Sequence, residues 1–166
     1  METGTANAPA RQHPAASNAA GQALALLRLT LGALFIWVFF ENLGKGLYTP
    51  AGYAQLIGIY LEKGAAPEAW KAVMRLAADN ATLAAPLQAL TEISFGVLLT
   101  LGLLTRVTAL SAGLFLTSLW VSEWGTAWIW ELLVPMAVAL ALAWGRAGQW
   151  WGLDGPLSRR FPRLPL

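Results

Sequence analysis

The chain has no cysteine. Disulfides, iron–sulfur ligation, thiolate zinc sites and thiol redox chemistry within it are therefore excluded. Its one histidine is His13, in a stretch without helical periodicity, so a helical core holds no histidine pair to ligate a haem. Charge is scarce too: 12% of the 166 residues are charged against 57% hydrophobic, and the charges leave long apolar runs between them. That balance is foreign to a soluble fold and normal for a membrane protein. No metal site and no covalently bound cofactor is expected. The lipid bilayer is the first expected partner, and nucleic acid is not among the others.

What is present is a series of apolar stretches. Leu83 to Leu104 is long enough, at about 1.5 Å per residue, to cross a hydrocarbon core about 30 Å thick. Similar stretches give expected spans of about 21–41, 107–122 and 127–144 besides 83–104. The expected fold is all-α, an integral membrane four-helix bundle over 21–145. Residues 1–20, rich in Ala, Pro, Thr and Asn, read as a disordered leader. No secretory h-region precedes a separate domain, so the first span is expected to be retained. The connection from Glu41 to Thr82 is too charged to span, yet Thr49-Pro50 is a helix start signal. Tyr53, Leu56, Ile57, Tyr60 and Leu61 then form an amphipathic stripe ended by Glu62, Lys63 and Gly64. A second short helix is expected from Pro67 and Glu68, with Trp70, Val73, Met74 and Ala77 on one side. Asp79 or Asn80 offers a cap for the next span. Residues 146–166 read as an irregular basic tail.

The polar residues inside the spans carry the chemistry. Glu92 lies near the middle of its span, with Gln88 one turn before and Gly96 one turn after. An acid at that depth faces a bundle interior or a wet cavity and marks a functional site, or else serves as interhelical glue. Arg28 with Gly32 lies in the first span and is within reach of Glu92 for an ion pair. Glu131 sits beside Pro135, where the helix should kink. At the other end Glu41, Lys45, Glu123 and Trp124 form a cluster with Trp120 and Trp128, which also fit an interfacial aromatic belt. Arg11, Arg28, Arg106, Arg146, Arg159, Arg160 and Arg163 fall on the terminal side, against Lys45, Lys63, Lys71 and Arg75 on the other. The positive-inside rule then puts both termini in the cytoplasm and the 41–82 helices outside the cell membrane.

Arg28-Leu29 with Gly32 and Phe35, Lys45, the run from Glu92 through Gly96 to Leu101-Gly102-Leu103 and Thr105-Arg106, and Trp151-Gly152-Leu153-Asp154 together resemble the DoxX family. Within it the chain is similar to the branch related to DoxD, the small membrane subunit of archaeal thiosulfate:quinone oxidoreductase. The helical segment Pro50 to Ala78 departs from shorter members. The resemblance implies a four-helix membrane subunit associated with quinone-linked oxidation and working beside a second redox subunit. In that reading Glu92 handles protons with Glu131 as a second acid, and Arg28, Gln88, Gly96, Trp120 and Trp128 surround a quinone. Two other classes stay open. One is a membrane adaptor that holds a soluble enzyme through the outer helices and the tail; the other is a small-solute carrier, for which four helices form a small pathway unless the chain forms a homo-oligomer.

Overall fold

The computed structural model describes residues 14–161. The leader residues before Pro14, Arg11 and His13 among them, lie outside the described residues, as does Arg163. The elements are all helical: α1 Pro14–Gly44, α2 Pro50–Lys63, α3 Glu68–Asp79, α4 Ala81–Leu101, α5 Thr105–Ser122, α6 Trp130–Trp144 and α7 Asp154–Arg160, with a 3-10 turn at Ala147–Gln149. α1 is already helical at Pro14, so the last part of the expected leader is helix rather than disordered chain. Segments 18–44 and 81–101 are long and apolar enough to cross a membrane, while α6 is apolar but shorter.

The main core is drawn from four helices: Leu31 and Phe35 of α1, Leu99 of α4, Ala109, Ala112 and Leu116 of α5, and Ala139, Leu142 and Ala143 of α6. Small residues let the backbones approach. At the crossing of α1 and α4, a Cβ on Gly32 would lie 2.9 Å from the Thr100 amide nitrogen, and one on Gly96 would lie 3.1 Å from that of Ile36. A second core joins the outer helices, with Tyr53 and Ile57 of α2, Met74 of α3, and Ala81 and Ala85 of α4.

Local signals place most of these elements. The Thr49 hydroxyl accepts from the Gly52 amide at 3.1 Å with Pro50 opening the helix, and Gly64 closes it. Asn80 corrects the expected cap: it stands before α4, but its amide donates back to the Leu76 carbonyl at 2.8 Å and closes α3 instead. The stretch that reads as apolar to Leu104 stops being helix at Leu101. Gly102 takes φ +65°, and the amides of Gly102 and Leu103 fold back on the carbonyls of Leu99 and Leu98, a Schellman closure.

Up to Phe161, the segment after α6 is packed and partly helical rather than irregular. Arg28 is fully buried, and its guanidinium donates to the carbonyl oxygens of Leu99, of Thr100 at 3.0 Å, of Trp151 at 3.0 Å and of Trp150 at 3.4 Å. A Cβ on Gly102 would lie 2.6 Å from an Arg28 nitrogen, so only glycine leaves room there. Asp154, 1% exposed, accepts from the amides of Leu104 at 2.7 Å and Thr105 at 2.9 Å. It thus caps α5 from fifty residues away in the chain, where the helix N-terminus favours an anion. Leu104, at φ +50°, is held in a left-handed turn by the same bond. The basic residues misled the reading of the tail, because a charged surface face says nothing of what the backbone beneath it packs against. Asp154→Ala should lower stability by about 1–3 kcal/mol by leaving two amides without an acceptor, and Asp154→Asn should fall between, as measured by thermal unfolding in detergent.

Candidate functional site

α1 and α4 run antiparallel, and a helical side chain leans toward the N-terminus of its own helix. Glu92 on α4 therefore leans toward the end of the bundle where α1 finishes, and Asn42 on α1 leans back to meet it. Asn42 donates to one carboxylate oxygen at 3.2 Å, the Tyr48 hydroxyl donates to the same oxygen at 2.5 Å, and Gln88 donates to the other at 2.8 Å. Glu92 is 1% exposed and has no cationic partner among the described residues; three neutral donors satisfy its carboxyl oxygens. Phe39 stacks on Tyr48 with ring centres 5.4 Å apart and fixes the hydroxyl. Burial, and then the bond to Glu92, hold that hydroxyl protonated well above the usual tyrosine range.

The same geometry keeps Arg28 away. It leans toward the opposite end of the bundle, where its partners are the carbonyls at the end of α4 and after α6. The expected ion pair with Glu92 is absent. The helix register separates the two as well: Gly32 meets Gly96 and Thr100, which puts Arg28 beside the end of α4 and Glu92 beside the last turns of α1.

Glu92 and Gln88 open on a cavity of about 830 Å³. α2 and α3 roof it with Tyr53, Ile57, Trp70 and Met74, and Phe35 and Phe115 line it from α1 and α5. Phe95 packs edge-on against both at 5.4 and 5.7 Å, which makes this wall stiff and apolar. Glu41, Lys45, Glu123 and Glu131 line the same space. Glu41 and Lys45 form an exposed pair at 2.6 Å. Four of the sequence's acids thus share one cavity, although no group of three or more among the described residues is arranged to hold a metal ion.

Gly96 lies in the α1–α4 crossing, where the Ile36 side chain and backbone fill the space before it. Trp120, Trp124 and Trp128 line a separate cavity of about 230 Å³, which shares Glu123 and Leu132 with the large one. Asn42 and Tyr48 are site residues that the sequence reading missed. Asn42 continues the inward face of Arg28, Gly32 and Phe35 at helical spacing, so periodicity alone marks it; nothing local marks Tyr48.

The roof is tied down at the end of α5. Tyr60 donates to Glu123 at 3.0 Å, the Ala65 amide to the Trp124 carbonyl at 2.6 Å, and the Trp70 indole to Ser122 at 2.9 Å. Burial raises the Glu123 carboxyl above the usual range; the Tyr60 bond opposes this and the nearby Glu131 adds to it.

A helical protein of this kind, with a carboxylate buried over an apolar-walled cavity and helices fit to span a bilayer, belongs to the small integral membrane proteins. More narrowly, the chain belongs to the DoxX family, whose model matches residues 23–124. The match runs from α1 to the turn after α5 and takes in Arg28, Asn42, Tyr48, Glu92 and Thr105-Arg106, and it makes the chain a membrane protein of the DoxX type. No curated protein and no solved structure matches it.

A carboxyl whose pKa is raised by folding favours the folded state while protonated and loses that contribution as pH rises through the raised value. Glu123→Gln removes the cost of the buried charge, so its midpoint of thermal unfolding should exceed that of the unaltered protein at pH 8. The gap should close as pH falls below the ordinary carboxylate range, and a gap independent of pH would assign the effect elsewhere.

Proposed function

We propose that the chain binds the ring of a quinone or quinol in the cavity over Glu92 and serves as the membrane subunit of a quinone-linked oxidoreductase system. The observation that supports this most is the buried Glu92, held by three donors and open to an apolar-walled space of about 830 Å³, which lies within the usual size of a small-molecule site. The chain has no Cys and a single His, so the two electrons come from a partner redox protein. A quinone ring accepts those two electrons with two protons. Glu92 is the residue placed to pass a proton, Gln88 and Asn42 carry amide donors suited to a ring oxygen, and Phe35 and Phe115 offer apolar contact. Glu131, exposed at its side of the same cavity, gives protons a way out to water. Arg28, Gly96, Trp120 and Trp128 have no part in this version of the site. The likeness to DoxD, with its thiosulfate-linked partner, suggests the kind of system in which such a subunit works.

The arrangement in the cell membrane belongs to the same proposal. α1, α4, α5 and α6 span it, both termini face the cytoplasm, and α2 and α3 lie outside, in keeping with the arginine asymmetry. Because the chain contains no cysteine, single substitutions report cleanly. Lys63→Cys should react with an impermeant thiol reagent added to intact cells and Arg160→Cys should not; the reverse pattern would invert the topology.

Glu92→Gln keeps the size and most hydrogen bonds of the side chain and removes its exchangeable proton. It should fold, retain binding of a quinone analogue, and lose about a hundredfold or more of quinone-dependent turnover in the complete complex, the scale of a lost acid–base group. Unaltered protein in lipid that shows no saturable quinone-analogue binding, alone or with its partner, would sink this reading and favour the adaptor.

A further inference from the structure

The second cavity is built differently from the first. Trp120, Trp124 and Trp128 line it, and Glu123 is the charged residue on its wall. The indoles of Trp120 and Trp124 lie 5.0 Å apart with their planes inclined by 36°. The loop that carries them is held in place: the amide and hydroxyl of Thr126 both donate to the Glu123 carbonyl, at 2.9 and 2.8 Å, and Trp124 accepts from Ala65. Gly125 takes φ +87° and lies against Ala65.

An interfacial belt accounts for tryptophans at this end of the molecule. It does not require three of them to share one cavity with a carboxylate and no lysine or arginine on the wall. The face of an indole carries the negative end of its quadrupole and attracts cations, organic ammonium groups above all. An ionised Glu123 favours a cation over an anion; burial opposes that charge and the bond from Tyr60 supports it. We infer that the box formed by Trp120, Trp124, Trp128 and Glu123 is a binding site for a quaternary alkylammonium group. Two sources carry that chemistry, the choline headgroup of a phospholipid and a free small quaternary amine. The inference stands apart from the quinone reading, because the two cavities hold different residues apart from Glu123 and Leu132.

The test uses the full chain in nanodiscs of phosphatidylglycerol, titrated calorimetrically with choline and tetramethylammonium and, as the neutral isostere, 3,3-dimethyl-1-butanol. Both cations should bind saturably and the alcohol should not. Trp124→Leu should weaken the cations by about tenfold or more, Trp124→Phe by less because a weaker aromatic face remains, and Glu123→Gln should weaken both cations as well. Glu92→Gln, outside the box, should bind them like the unaltered protein. Discs containing phosphatidylcholine separate the sources: a lower apparent affinity for free choline assigns the site to the lipid headgroup, and an unchanged one to the free amine. Absence of saturable cation binding, equal binding of the alcohol, or full binding by both Trp124→Leu and Glu123→Gln would overturn the inference.

Discussion

A guanidinium buried in a helical bundle has to donate its hydrogens somewhere, and Arg28 donates them to backbone carbonyls of two segments far apart in the chain. Leu99 and Thr100 lie in the last turn of α4, where the helix dipole is negative and the Leu99 carbonyl also accepts from the Gly102 amide; Trp150 and Trp151 lie in the chain after α6. One side chain on α1 thus ties together the ends of two distant segments. Arg106 repeats the device on the Ala143 carbonyl at 3.2 Å near the end of α6, and Asp154 is its counterpart for the amides that open α5. Three charged residues therefore organise this end of the molecule by capping helices, and the Asp154 charge also favours the buried guanidinium of Arg28.

With that end closed, the opposite end holds the large cavity. Glu92 receives its donors from its own helix, from the last turns of α1 and from the linker that follows, all of them neutral groups. Tightly packed helices on one side and a roofed space on the other place it at a boundary between a dry interior and a cavity. An ion pair with Arg28 would have fixed the acid as a structural element. Helix register and the lean of the side chains keep the two apart.

The all-helical fold and its starts and stops were legible because they rest on local chemistry. Thr49-Pro50 caps α2, Gly64 ends it, and Glu92 with Gln88 declares a polar face inside an apolar helix. What was not legible depends on the third dimension. Asn80 offers a cap to either neighbouring helix, and only packing decides that it serves the earlier one. Asp154 stands among basic residues and shows no sign that α5 waits for it. Trp120, Trp124 and Trp128 look like any interfacial belt until the turn after α5 brings them round one space. The Arg28–Glu92 pairing was a plausible sum of depths that ignored side-chain direction.

One joint in the outer layer has a mechanical meaning. α3 ends at Asp79 and α4 begins at Ala81, so Asn80 alone separates them, and its side chain is fastened to α3. Only the φ and ψ of Asn80 lie between α3, which covers the cavity, and α4, which carries the acid, so any shift of α3 is either absorbed at that residue or passed to α4.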